Sequence, residues 1–475
     1  MRKFLVAYLL CLLTLPFLFP RPAGARGLAE ARRLGQTPPN IVFIFADDLG
    51  WKDVGYQGSD FYETPVIDRL AKEGMVFSNA YAAAGNCAPS RACLLSGTYG
   101  PRHGVYAVGS TDRGPKNLMR LTPYPNKEGL RKENITLADA LKSAGYATGH
   151  FGKWHLMHPT EGALPSQQGF DETYDSFGSG PLKEGGEGNQ TGPPSDPKGV
   201  FALTNKACEF IEKHKAKPFF VYLAHHGIHS PLQAQPEVLE KFKSKTVGKE
   251  HKNAKYAACI SALDSSINLL LKKLKALDLE KNTIVVFTSD NGATQQSSQE
   301  PLRGNKGGYY EGGIREPLIV RWPGITKPGS VCATPVINVD FYPTFLELAG
   351  ARPPKPLDGE SLVPLFKDSS TSLKRQAIFW HFPGYLNDPV IRGRDKDFRT
   401  RPISVIRKGD WKLHLYHEEW VLDGGKNALE LYNLKTDIGE RVNVADTNPS
   451  KREELLKDLL AWIKAANAPL AGKKS

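Results

Sequence analysis

The sequence predicts an α/β fold: a large, mixed but mostly parallel sheet flanked by helices, followed by a smaller α+β domain carrying an antiparallel sheet. Three observations lead there. First, Asn40–Ala46 and Asn282–Thr288 are nearly unbroken apolar runs, as expected of strands buried on both faces, and Pro218–Ala224 and Pro317–Val320 resemble them. Second, helical stretches at 136–144, 204–214 and 254–277 lie between these runs, and strands alternating with helices imply a parallel sheet with helical layers. Third, the pattern changes near residue 370. Ile403–Ile406, Trp411–Tyr416 and Leu429–Leu434 alternate like half-exposed antiparallel strands, with Lys408-Gly409-Asp410 as a turn between the first two. The last stretch, 452–466, has helical spacing, with Leu455, Leu456, Leu459, Leu460, Trp462 and Ile463 on one face. The expected organisation is a leader at 1–25, a main domain at 38–370 and a smaller C-terminal domain at 371–475.

The leader has Arg2 and Lys3, an apolar run from Phe4 to Phe19, and Ala23-Gly24-Ala25, which fits a small-x-small cleavage site. A mature chain beginning near Arg26 would be exported, periplasmic or secreted, and no later segment is apolar enough to form a stable membrane span. The formal net charge is +12, three units of which (Arg2, Lys3 and Arg21) belong to the leader. A basic surface suits anionic partners. Export, together with the lack of zinc-finger spacing or an aromatic-basic RNA-binding box, argues against nucleic acid. Five cysteines follow the leader, an odd number that leaves at least one without an intramolecular partner, and Cys87 is the candidate.

Two of the apolar runs end alike, in Asp47-Asp48-Leu49-Gly50 and in Ser289-Asp290-Asn291-Gly292. Ligands gather at the carboxyl ends of parallel strands, so both ends could face one crevice. Either pair alone would pass for a turn former or a helix N-cap. Together, three carboxylates and an amide call for a cation, and an all-oxygen set suits calcium or magnesium. Basic residues form similar groups beside strands: Lys153 and His155 in Gly152–His155, His225, His226 and His229 in His225–Pro231, and Lys306 in Arg303–Gly308. They read as one anion site built from several loops. In Cys87-Ala88-Pro89-Ser90-Arg91, the proline presets a first helical turn, which puts Cys87 at the positive end of a helix with Arg91 one turn on. A thiol there would have a depressed pKa and could act as a nucleophile, although a hard cation does not favour a thiolate.

Cys-Ala-Pro-Ser-Arg resembles the Cys-x-Pro-Ser-Arg signature of the formylglycine-dependent type I sulfatases, arylsulfatase-like members of the alkaline phosphatase superfamily. The likeness extends through Asp47-Asp48, Gly152–His155, His229–Leu232, Ser289–Gly292, Arg303–Pro317 and Leu431–Asp437, in the family's order. It implies an alkaline phosphatase-like fold and a sulfatase domain at 38–370. It also implies oxidation of Cys87 to formylglycine by a formylglycine-generating enzyme, and a calcium ion bound by Asp47, Asp48, Asp290, Asn291 and the modified Cys87. Arg91 and Lys153 would hold the nucleophile, and Asp290 would take its proton. His229 and Lys306 would contact the sulfate and the leaving oxygen, and His155 would be the base for sulfate release. His225 and His226 match no family position and are left as supporting or substrate contacts.

The expected substrate is a sulfated carbohydrate or glycosaminoglycan fragment. The loop His381–Tyr385 could stack on a sugar or could pack between domains. The alternatives are a phosphonate monoester hydrolase or phosphodiesterase of the same superfamily, and a non-catalytic binder of sulfated glycans.

Overall fold

The computed structural model describes residues 38–158, 161–174 and 192–474. The expected leader and most of the Gly-rich segment 178–199 lie outside the described residues.

The main sheet has eight strands: β1 (Asn40–Ala46), β2 (Met75–Phe77), β3 (Ala147–Gly152), β4 (Glu172–Tyr174), β5 (Phe219–His225), β6 (Thr283–Ser289), β7 (Ile319–Arg321) and β8 (Ser330–Cys332). Their order across the sheet is β8-β2-β7-β6-β1-β5-β3-β4. All neighbours pair in parallel except β7, which runs antiparallel to β6 and β2 and makes the sheet mixed.

Strand parity explains the three layers. Ile41, Phe43 and Phe45 of β1 face one side, where they pack with Phe220 and Tyr222 under helices α2 (Cys87–Ser96), α3 (Leu137–Ser143) and α6 (Phe341–Leu348). Val42 and Ile44 face the other side, with Val221, Leu223 and Val285 under α1 (Pro65–Glu73), α4 (Val200–His214) and α5 (Ala254–Ala276). Both faces of the central strands are therefore covered, and their sequences show no polar alternation. Helix α3 starts where its sequence says it should: the Thr136 hydroxyl accepts from the Asp139 N–H and the Asp139 carboxylate accepts from the Thr136 N–H.

A four-stranded antiparallel sheet follows, in the order β9 (Ile378–Phe382), β10 (Ile403–Lys408), β11 (Trp411–Tyr416), β12 (Leu429–Asn433). Half-exposed alternation was expected here, but β10 and β11 are buried along almost their whole length. One face packs Ile406, Leu413 and Leu431 against Leu455 and Leu459 of α7 (Pro449–Ala465). The other presents Trp380, Ile403 and Val405 to Tyr81, Cys93 and Ile314. Its polar side chains are buried in pairs: Lys412 Nζ lies 2.9 Å from Glu311 and 3.0 Å from Glu440.

The loop His381–Tyr385 packs between these parts. His381 Nδ1 is 2.8 Å from Ser404 Oγ, Phe382 stacks on Tyr309, and the Tyr385 hydroxyl accepts from the Leu121 N–H at 2.9 Å. The sugar-stacking alternative is set aside for this loop, because Phe382 and Tyr385 are fully buried. Among the described residues, no helix is long and apolar enough to cross a membrane.

Candidate active site

The registers bring four strand ends level. Ala46 pairs with Ser289 and His225, and Gly152 pairs with Ala224. The residues that follow, Asp47-Asp48, Asp290-Asn291, His226–His229 and Lys153–His155, therefore leave the sheet side by side at its carboxyl edge. Asp48 takes a left-handed turn (φ 66°) fixed from several sides. Its N–H donates to Asp290 Oδ1 (3.1 Å), its carbonyl accepts from the Tyr256 hydroxyl (3.1 Å), and Leu49 N–H donates to Ser289 Oγ (3.0 Å).

Helix α2 supplies two more side chains. Cys87 is its first residue and Arg91 lies one turn on, so both point the same way. The whole helix is buried. Cys87 Sγ donates to Asp47 Oδ1 at 3.2 Å and lies 3.7 Å from Asp48 Oδ1. Arg91 donates through Nε (3.1 Å) and Nη2 (2.8 Å) to Asp290 Oδ2, and through Nη1 to the Lys153 carbonyl (2.8 Å). Two ammoniums complete the ring: Lys153 Nζ lies 2.8 Å from Asp47 Oδ2, and Lys306 Nζ lies 2.8 Å from Asp48 Oδ2. His229 Nε2 is 3.3 Å from Lys306 Nζ and 3.4 Å from Asp48 Oδ2. The Ser230 carbonyl, 2.6 Å from His229 Nδ1, can only accept, so Nδ1 carries the hydrogen.

Charge sets the protonation states. Burial pushes the Asp47 carboxyl up, but Lys153, His229, Arg91 and Lys306 together hold it well below the usual range. Asp48 is lowered against burial in the same way, mainly by Lys306. Asp290 goes the other way: burial first, then Asp47, push it up to about 7 despite Arg91. Burial lowers His155, with Lys153 and Arg91 adding to it, so its imidazole is neutral.

The depressed thiol expected for Cys87 is not found. Burial first, then the Asp290 and Asp47 carboxylates, raise it well above 9, and the helix end does not compensate. The other four described cysteines, Cys93, Cys208, Cys259 and Cys332, are likewise buried free thiols.

The donor atoms converge as those of a metal site do. Asp47, Asp48, Cys87 and His229 each place a ligand atom within 4.8 Å of the others. Asn291 Nδ2 donates to Asp48 Oδ1 (2.6 Å), while its buried Oδ1 has no hydrogen-bond partner. That orphaned oxygen is what a divalent ion would satisfy. His229 stands nearer this group than the sequence suggested, and Asp290 reaches it through Arg91 and the Asp48 N–H.

His225 is corrected. Strand parity turns it to the far face of the sheet, where Nε2 lies 3.3 Å from Thr204 Oγ1 and 3.4 Å from Ser266 Oγ, away from any substrate. Ser289 and Tyr256, which brace the Asp48 turn, were missed because a serine and a tyrosine carry no spacing signal.

The sulfatase family model matches residues 39–351, two thirds of the sequence and every residue of this ring. The chain belongs to the sulfatase family. A second match, to the C-terminal part of N-sulphoglucosamine sulphohydrolase, covers residues 305–467 of this sulfatase. It is 32% identical to a sulfatase of Formosa agariphila over 93% of this chain and 91% of that one. It is also 32% identical to mouse N-acetylgalactosamine-6-sulfatase, over 88% of this chain and 78% of the relative. Among solved structures, Ps i-CgsB in complex with k-i-k-neocarrahexaose superposes with a TM-score of 0.72 at 29% identity, covering 92% of this chain and 96% of that one. The sulfatase is thus a type I member of the alkaline phosphatase superfamily and a sulfuric ester hydrolase.

Proposed function

We propose that this sulfatase is an exported enzyme that hydrolyses sulfate esters of a sulfated carbohydrate, using a formylglycine made from Cys87 and a calcium ion. The observation that carries this reading is the setting of Cys87. Its sulfur lies 3.2 Å from a carboxylate oxygen, inside a ring of oxygens and cations, where a thiolate is strongly disfavoured. A residue there gains chemistry only if the sulfur is replaced, and the hydrated aldehyde would supply the attacking oxygen. The maturation enzyme is then an obligatory partner. Asp47, Asp48, Asp290 and Asn291 would hold the calcium ion, which would supply positive charge next to the sulfate.

The remaining residues act through charge. Three carboxylates, Asp47, Asp48 and Asp290, face three cations, Arg91, Lys153 and Lys306. That balance leaves the charge of a bound divalent ion free to attract a sulfate ester. Arg91 is locked by Asp290 and the Lys153 carbonyl and keeps position 87 oriented. Asp290 accepts the proton of the attacking group. Lys306 and His229 Nε2 share a proton at 3.3 Å that can pass to the departing alcohol. His155, neutral, is the base for sulfate release. Lys153 stays charged because, against its burial, the charge of Asp47 and then of Cys87 raises it, and it offsets charge growing on the sulfate oxygens.

The carbohydrate assignment rests on the relatives, one named for N-acetylgalactosamine-6-sulfate and another solved with a neocarrahexaose. We place the catalytic domain at 38–370 and the smaller domain at 371–475, and assign the leader at 1–25 to export into a periplasmic or secretory compartment. The test is sulfate release from a panel of sulfated sugars and one aryl sulfate, by protein matured with a formylglycine-generating enzyme. Release from a sugar, absent in Cys87→Ala, supports the reading. Full activity with the Cys87 peptide at its unmodified mass would overturn it.

A further inference from the structure

A second cationic locus borders the site and takes no part in the mechanism above. Arg399, in the short strand Phe398–Thr400, lies with its stem across Gly307. Gly307 has φ 90°, and a Cβ there would sit 2.0 Å from Arg399 Cδ, so only glycine admits this approach. The guanidinium then reaches the loop that carries Lys306, with Nη1 3.4 Å from the Lys306 carbonyl and Nε 3.2 Å from the Asp388 carbonyl. It is near enough to Asp48 to feel that carboxylate. Arg113 lies close enough to it for the two charges to repel. Gly114 packs on the Phe398 ring, and the buried Nε of Arg113 has no hydrogen-bond partner.

These two arginines differ from their neighbours. Arg394 is held by Glu419 (2.9 Å) and Glu430 (3.4 Å), and Arg401 by Asp395 and by Glu418 (2.8 Å). Among the described residues, Arg399 pairs only with Asp388, at 3.8 Å and with the Asp388 side chain 70% exposed. Burial first, and then repulsion from Arg399, lower Arg113, while burial lowers Arg399. Two like charges are thus held half-buried around one loose carboxylate, an arrangement that is costly unless an anion joins them. A small crevice of about 20 Å³ lies alongside, lined by Gly308, Arg394, Arg399 and Arg401 among others.

We infer that Arg399 and Arg113 form a second anion subsite beside the sulfate pocket, and that the natural substrate carries a second anionic group, a sulfate or a carboxylate, on the same or the adjoining sugar. This rests on the sulfated-carbohydrate reading above. The planar, multi-donor guanidinium is suited to both anions. With Lys306 on the scissile sulfate and Arg399 bonded to the Lys306 carbonyl, the two anions would be read by one loop and its neighbour.

The test measures kcat and KM for the matured enzyme on an aryl sulfate, a monosulfated hexosamine, the same sugar disulfated, and a monosulfated disaccharide bearing a uronic carboxylate. The variants are Arg399→Ala, Arg399→Gln, which keeps a stem on Gly307, and Arg113→Ala, with folding checked by thermal melting. The expected result is that the preference for a dianionic over a monoanionic sugar falls about tenfold or more in each, mainly through KM. Arg399→Lys recovers part of it. The substrate that responds, disulfated or uronate, identifies the second anion. An equal loss on mono- and dianionic sugars would make Arg399 a support of the Lys306 loop and overturn the subsite, as would no loss on either. Wild-type turnover of the aryl sulfate with none of any sugar would instead refute the carbohydrate reading.

Discussion

Cys87 is held where a thiol has little chemistry of its own and an oxygen would have a great deal. Cys87→Ala is expected to abolish sulfate release while leaving the fold intact, because it removes one atom from a site whose other members are tied to one another; sulfate assay and thermal melting check it together. Cys87→Ser is expected to be inactive unless the host's maturation system accepts serine, which the mass of the residue-87 peptide decides. Asn291 offers a second test at this scale. Asn291→Ala deletes the unpartnered Oδ1 and is expected to weaken calcium binding about tenfold or more, read by titrating calcium into chelated protein. Chelation followed by dialysis is expected to lower activity, and calcium to restore it. Full activity in protein shown to be free of metal would remove these side chains from any essential ion site. The residue types at 47, 48, 87, 153, 229, 290 and 306 were legible in the sequence. Their protonation was not: the thiol moved opposite to expectation because burial and two carboxylates are tertiary facts.

Helix α1 shows how one element depends on another. Its N-cap Thr64 makes no side-chain cap, and the orphan N–H groups of Val66 and Ile67 donate instead to Asp264 of α5, at 3.0 and 2.8 Å. Burial outweighs those two N–H groups and raises the Asp264 carboxyl from 3.8 to about 6. A carboxyl raised on folding contributes stability that is present below pH 3.8 and is lost as pH climbs through about 6. Asp264→Asn keeps an acceptor without the charge. Relative to wild type it should gain on the order of 3 kcal/mol between pH 4 and 7 and stay level above, as followed by urea unfolding at each pH. A flat difference would show that the N–H groups win. The site loops are packed just as tightly: a Cβ on Gly292 would lie 2.0 Å from the Gly312 carbonyl, so Gly292→Ala should cost about 1–3 kcal/mol and misplace Asp290 and Asn291. The strands behind these loops were legible because runs such as Ile41–Ala46 permit little else. The direction of His225 was not read from the sequence, although alternation with Ala224 sends it to the opposite face. Arg399 was not legible, because it stands 93 residues from Lys306 with no spacing to connect them.

At the scale of the whole molecule, the sequence marked a change of pattern near residue 370, and one hydrophobic cluster of the structure spans that boundary. The C-terminal sheet lays Trp380, Ile403 and Val405 on Tyr81, Cys93 and Ile314, and the Trp380 indole donates to the Ala82 carbonyl at 2.7 Å. Across the same seam, fully buried Lys412 bridges Glu311 and Glu440, and Glu311 also accepts from Arg315 at 2.7 Å. This is why the strands of the second sheet lack the polar side that their alternation suggested: their outward residues are enclosed, and the charged ones are neutralised in place. Removing Lys412 would leave two carboxylates buried with one fewer cation, a loss of about 3–5 kcal/mol. Lys412→Met is therefore expected to lower the melting temperature of the entire chain in one cooperative transition, because the stretch it secures, Glu311–Arg315, follows directly on Lys306–Tyr310. Turnover should fall at temperatures well below that transition, as the Lys306 loop loosens before the sheets part. Calorimetry with activity measured across the same range decides it: two separate transitions, with the first sparing activity, would mean that residues 371–475 are an independent domain with no hold on the site.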